Sequence, residues 1–153
     1  MKKWLYNDPE SGQVIEYTNI DQFPTSCIGF IYKVTNICTN KFYIGKKVLF
    51  HNTNKVLTKK EIAEWDKPGR VPRKKKVTKE SDWNTYWGSS KLIKEDMKLL
   101  GEDCFTREVI KLCNSKKQLS YYETYWQFKL DVLSQDTYNE NILGKFYRKD
   151  TEE

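Results

Sequence analysis

Tyr32 and Tyr43 are the residues whose type and spacing first suggest chemistry: two phenols eleven positions apart, in neighbouring strand-like segments. Joined as a hairpin, those segments would bring both hydroxyls to one sheet surface. Two tyrosines in a sheet are ordinarily cross-strand packing, but this pair has company. Gly45 permits close backbone approach, Lys46 and Lys47 follow at once, and Glu123 supplies a carboxylate further on. A phenol titrates near about 10 and moves protons at neutral pH only where positive charge lowers that value.

The elements that must position these groups follow from periodicity. From Ile28 to Asn36, Ile28, Phe30, Tyr32 and Val34 alternate with Ile31 and Thr35, as a strand requires. A turn at Cys38-Thr39-Asn40 leads into a second strand through Phe42-Tyr43-Ile44, ending near Gly45. Ser89-Ser90 can cap a helix that buries Ile93, Met97 and Leu100 and stops at Gly101. Phe105–Leu112 reads as a third strand. Ser115-Lys116-Lys117-Gln118 then has the form of a capping box opening a helix that runs to about Leu133. On that helix Leu119, Trp126, Leu130 and Leu133 fall in a stripe about 60° wide, and Glu123 lies only about 20° from Leu130. A carboxylate at the margin of an apolar stripe is partly desolvated, which makes it a candidate for more than solubility.

Around this frame the chain is less regular. Residues 1–26 carry the turn signals Asp8-Pro9, Ser11-Gly12 and Phe23-Pro24, with one short strand-like piece at Val14-Ile15-Glu16-Tyr17, and read as an N-terminal arm or peripheral hairpin. Between about Phe50 and Glu80, Lys67-Pro68-Gly69, Val71-Pro72 and Arg73-Lys74-Lys75-Lys76 break the pattern, predicting a long cationic loop with one short helix around Lys59–Trp65. Residues 148–153 read as a frayed tail. The expected organisation is one domain over 27–147, with a basic insertion at 50–80.

Composition narrows the class. A chain of 153 residues suffices for one core, and 22 aromatics argue against a disordered polymer. No stretch approaches the roughly 20 apolar residues that span a bilayer, and no export signal is seen, so a cytoplasmic protein without membrane contact is expected. Four cysteines lack C-x-x-C spacing and His51 is the single histidine, which disfavours a zinc site and suits a reducing compartment. The net charge is +6, yet Lys46–Lys79 alone holds twelve Lys/Arg against three acids, or +9, leaving −3 elsewhere. Such a concentration of charge suits a polyanion.

The stretch Gly29–Lys47, GFIYKVTNICTNKFYIGKK, resembles the paired motif of the GIY-YIG nucleases. Its second half is intact as Tyr43-Ile44-Gly45; its first reads Phe30-Ile31-Tyr32, with Phe where the family has Gly. Tyr86-Trp87-Gly88-Ser89-Ser90 resembles a segment of the phage members, Glu123-Thr124-Tyr125-Trp126 the helix bearing the metal-binding glutamate, and Tyr138-Asn139 the late asparagine motif. The resemblance covers about residues 28–142. It implies an α+β fold with a three-stranded antiparallel sheet flanked by helices in the order β-β-α-β-α, an order the periodicity also predicts. It implies as well a phosphodiesterase acting on DNA with one divalent ion, Mg²⁺ or Mn²⁺, held by Glu123. Tyr32 would activate the attacking water, Tyr43 would orient water or phosphate, and Lys46 and Lys47 would supply positive charge. Asn139 would complete the site, although Asn141 competes with it and a turn residue is the plain alternative. Mg²⁺ keeps most of its waters, so a lone carboxylate is a sufficient protein ligand.

The family's arginine on the helix after the second motif has no clear counterpart; Arg70 or Arg73 could substitute, and the role stays open. Lys67, Arg70, Arg73, Lys74, Lys75 and Lys76 are the expected DNA-backbone contacts. The reading is a stand-alone phage-type endonuclease, which would work in the host cytoplasm. Two rivals stand beside it: a DNA-binding module that no longer cuts, and a subunit active only with a partner. Double-strand cutting would need a homodimer on DNA or successive nicks.

Overall fold

The structure, a computed structural model, describes residues 2–152. The chain divides into two compact units, Met1–Leu49 with Asp82–Glu153, and Phe50–Ser81.

In the larger unit, strands β1 (Trp4–Asn7), β2 (Val14–Tyr17), β3 (Gly29–Asn36) and β4 (Phe42–Val48) join a later strand, Phe105–Cys113, in a five-stranded sheet. The smaller unit contributes β5 (Phe50–Val56), β6 (Lys74–Glu80) and α1 (Lys59–Ala63). The later strand is therefore β7, and the order across the large sheet is β2-β1-β7-β3-β4. Every pairing is antiparallel except β1 with β7. Helix α2 (Lys91–Leu100) precedes β7, and α3 (Lys116–Lys129) follows it. A small ribbon of β8 (Asn141–Ile142) and β9 (Phe146–Tyr147) comes last.

The three strands anticipated from periodicity are the β4-β3-β7 half of the sheet. The correction is the other half: the sheet has five strands, because residues 4–7 and 14–17 add two more beside β7. Four-residue strands interrupted by turn signals carry almost no period, and what holds them is burial. Trp4 is fully buried; its ring meets Phe30 and Tyr32 edge-on at 4.9 and 5.4 Å, and its indole N–H donates to the Trp83 carbonyl at 2.8 Å. Phe23 stacks on Tyr17 and on Phe30. Phe30 is thus absorbed by a core that the N-terminal strands help to build.

Both faces of β3 are covered. Phe30, Tyr32 and Val34 join Trp4, Trp83, Ile93 and Phe105 on one side, while Ile31, with Ile44 and Cys113, packs under Leu119 of α3 on the other. Arg107 is buried between the rings of Trp4 and Trp87, at 4.6 and 4.5 Å. It donates to the carbonyls of Asn84 and Tyr86 at 2.9 Å and to that of Lys2. Burial brings its pKa down to about 10.

Helix ends differ from expectation in detail. Ser115 accepts from the Gln118 N–H, but α3 ends at Lys129, where Asp131 turns into the left-handed region at φ 52°. Ser90 caps α2 without a side-chain bond, and Leu100 is exposed rather than buried. The segment read as a cationic loop is a β5–β6 hairpin enclosing α1, in register from Phe50↔Glu80 to Val56↔Lys74. Its strands pass unnoticed in sequence because almost every residue is polar and exposed, so no face alternates. Thr58 caps α1 in a full capping box with Glu61.

Candidate active site

The edge strand β4 organises the site. An edge presents unpaired N–H and C=O groups that need partners, and along β4 these are met in turn. The Phe42 carbonyl accepts from the Tyr138 N–H at 2.8 Å. At Ile44 the Asn139 side chain behaves as a substitute strand: Oδ1 accepts from the Ile44 N–H at 3.0 Å and Nδ2 donates to its carbonyl at 2.9 Å. Gln127 Nε2 donates to the same carbonyl at 3.1 Å. The Lys46 N–H also faces the Glu123 carboxylate and helps to draw its pKa down. Asn139 and Glu123 therefore stand in register along one strand edge, two residues of β4 apart.

Above that edge lies a cavity of about 600 Å³, lined by Tyr43, Ser89, Lys91, Glu123, Gln127 and Asn139 among others. The Tyr43 hydroxyl is 2.8 Å from Ser89 Oγ. Burial raises the Glu123 pKa, against the opposing pull of the Lys46 ammonium and of the Lys46 N–H. Lys46 Nζ sits 3.9 Å from Glu123 Oε1 and donates to Ser120 Oγ at 3.3 Å.

Tyr32 lies beneath. It is 1% exposed, and its ring is 6.1 Å from that of Tyr43 and 5.9 Å from that of Tyr86. Gly45 makes room for it: a Cβ there would stand 2.5 Å from the Tyr32 hydroxyl, 2.7 Å from Cζ and 2.9 Å from Tyr43 Cε1. The irregular register of β3 on β7 falls at Ile31/Tyr32, where bulges commonly re-aim side chains. Burial pushes the Tyr32 pKa well above 10, reinforced by Tyr43, Tyr86 and Glu123. Tyr43 is raised too, by burial first, against the Ser89 hydroxyl. Both phenols are thus neutral at physiological pH, and lowering either requires positive charge to outweigh the anionic groups around them.

Lys47 is turned elsewhere. Its ammonium pairs with Asp82 at 2.6 Å and lies over the Tyr86 ring at 3.9 Å, fixing the loop that carries Tyr86. Of the chain's four arginines, none lines the cavity. Arg107 is the buried one, and Arg148, placed by sequence in a frayed tail, begins a 3-10 helix and ties down the segment that bears Asn139. It donates to the carbonyls of Leu133, Gln135, Thr137 and Asn139 at 2.8–2.9 Å. The cation that does line the cavity is Lys91, at the start of α2, which sequence reasoning passed over. Gln127 was missed as well, although its i, i+4 relation to Glu123 puts both on one side of α3.

Among the described residues no three His, Cys, Asp or Glu side chains cluster, so the donor set is not a protein cage. One under-solvated carboxylate beside an open polar cavity fits Mg²⁺, which is content with one or two carboxylates, waters and substrate oxygens.

In the smaller unit, Lys67, Arg70, Arg73, Lys74, Lys75 and Lys76 are all exposed. Lys75 is paired with Glu61, and Lys67 lies 5.6 Å over the Trp65 ring. Among the described residues no helix is long and apolar enough to cross a membrane.

Residues 13–149 match the family described as "Putative endonuclease segE, GIY-YIG domain". No curated protein and no solved structure matches the chain.

Proposed function

The chain belongs to the GIY-YIG nuclease family, and on that premise we propose that it hydrolyses DNA phosphodiester bonds at the cavity beside β4, with one divalent ion, Mg²⁺ or Mn²⁺, on Glu123. The observation that carries this reading is the sharing of one polar cavity by a partly desolvated carboxylate, the Tyr43 phenol and the Lys91 ammonium. A cation bound there would offset charge on the scissile phosphate and reverse the sign of the field that Glu123 exerts on both phenols.

The remaining roles belong to the chain's own side chains. Tyr43, at the cavity wall with Ser89, meets the attacking water or the phosphate. Tyr32 lies behind it and shares or positions the proton. Lys91 takes a phosphate oxygen in the place that the family gives to arginine. Lys46, released from Glu123 when the carboxylate is otherwise neutralised, turns to the substrate, and Lys47 holds the Tyr86 loop through Asp82. Asn139 and Gln127 hold the Ile44 peptide between Tyr43 and Gly45. The exposed cations Lys67, Arg70, Arg73, Lys74, Lys75 and Lys76 hold the DNA backbone, since each phosphate contact releases condensed counterions.

Supercoiled plasmid incubated with the protein in Mg²⁺, in Mn²⁺ and in a chelator tests this directly. Nicked or linear product in either metal, and none in the chelator, is expected. Plasmid that is bound but uncut in both metals would instead make the chain a DNA-binding module.

A further inference from the structure

Helix α3 is aromatic on two sides. One side buries Leu119 and packs Tyr122 and Trp126 against the sheet. The other presents Tyr121, Tyr125 and Phe128, which are 65%, 43% and 52% exposed. Their spacing of four and three residues makes one continuous stripe, and the rings of Tyr121 and Tyr125 are nearly parallel, 7° apart in plane with centroids 6.5 Å apart. With Ser120, Thr124 and Lys129 they line a shallow groove of about 700 Å³. An exposed apolar patch of this kind marks a binding surface.

We infer that this stripe is a stacking platform for the bases of single-stranded DNA beside the candidate active site. The inference rests on the nuclease reading only in taking DNA as the ligand. Charge selects the occupant. Lys129 lies 5.5 Å over the Tyr125 ring and 4.6 Å over that of Trp126, and Lys145 lies 5.6 Å over the ring of Phe146, which itself meets Phe128 at 5.8 Å. The only carboxylate on α3 is Glu123, which faces the cavity. A second copy docked through the same patch would set these ammonium groups against their own kind, whereas a phosphate backbone would be attracted while its bases covered the rings. Bases in a duplex have their faces already stacked, so the ligand is an unpaired strand. The platform is continuous with the site, because Ser120 on the groove binds Lys46, which lies beside Glu123.

The test is fluorescence anisotropy of a labelled thymidine oligonucleotide of about 12 nucleotides, within the usual site size, measured in chelator so that nothing is cut. Wild type should bind it more tightly than a duplex of equal length. Tyr121→Ala and Phe128→Ala should each weaken single-strand binding about tenfold, and Tyr121→Phe, which keeps the ring, should restore it. Melting curves confirm that each variant is folded; the exposure of these rings leaves the core intact. No single-strand binding by wild type, or an affinity unchanged in the folded double alanine variant, overturns the platform. So does a concentration-dependent dimer, seen by sedimentation, that the double variant abolishes while its oligonucleotide affinity is unchanged. Ring-dependent binding without plasmid nicking would retain the platform and remove the nuclease reading; nicking with ring-independent binding would do the reverse.

Discussion

The β3–β4 hairpin and the β5–β6 hairpin are neighbours in sequence and opposites in physics. In the first, β3 is covered on both faces, and the outward groups of β4 at Phe42 and Ile44 are bonded by Tyr138 and Asn139, with the Glu123 carboxylate facing the Lys46 N–H. In the second, every residue of both strands but Val77 is exposed, and Lys55 faces Lys75 directly across the ladder. A two-stranded ribbon is marginal by itself; here the Thr58–Glu61 capping box, the Glu61–Lys75 pair and the buried side chain of Leu57 hold it. The side chains around the cavity stand on a strand bonded along both of its edges. The exposed cations are carried on a ribbon with little core.

The contrast can be broken at its tightest point. Gly45→Ala would drive a methyl group into the Tyr32 hydroxyl and the Tyr43 ring. Nicking should fall by about 10²-fold or more, as for a misplacement of an ångström in a reacting group, with a lower melting temperature; wild-type nicking would show that the buried phenol is not position-critical. Next in size are the phenols themselves. Tyr43→Phe should lower the nicking rate by about 10²-fold, and Tyr32→Phe by less, because the Tyr43 phenol lines the cavity and the Tyr32 phenol lies beneath. The reverse order would make Tyr32 the proton acceptor. Asn139→Ala strips the Ile44 N–H of its partner and leaves only Gln127 on the carbonyl. It should destabilise the fold by about 1–3 kcal/mol in a denaturant titration.

In the ribbon the effects should be smaller and electrostatic. Neutralising Arg73, Lys74, Lys75 and Lys76 together should flatten the dependence of log affinity on log salt by roughly 0.9 for each phosphate that the protein no longer neutralises, without moving the melting temperature as Asn139→Ala does. Lys75, already paired with Glu61, should account for the smallest part. An unchanged slope would make the run a solvated surface only.

What was legible in the sequence follows the same division. The Tyr32/Tyr43 hairpin could be read from its alternation and its β-branched and aromatic residues, α2, β7 and α3 from the period that burial imposes, and Glu123 stood out because a carboxylate beside Leu130 breaks it. Trp4 could not be placed, and the strand-like piece ending at Tyr17 could be seen but not joined to the sheet: both strands are four residues long, and only packing against rings from other elements, Phe30 and Tyr32 for Trp4 and Phe23 for Tyr17, gives them a role. The same holds for Arg148, whose guanidinium satisfies backbone carbonyls that come together only once the chain has folded; Asn139 could be singled out after Tyr138, but not its bonds to Ile44. Lys91 was hidden because a lysine opening a helix is unremarkable until Tyr43 and Glu123 are placed around the same cavity.

Glu123→Gln decides the matter most directly. The amide keeps the size of the carboxylate and an oxygen facing the Lys46 N–H, so the variant should melt close to wild type. A neutral amide is a far weaker ligand for Mg²⁺ than a carboxylate, so the stabilisation that Mg²⁺ gives the wild type by binding its folded state should vanish. Nicking, melting and DNA binding measured on one preparation should then show a protein that folds, binds DNA and leaves plasmid intact. A folded Glu123→Gln variant that nicks at the wild-type rate in Mg²⁺ would contradict the assignment of Glu123 as the metal ligand and of the cavity beside β4 as the place where DNA is cut.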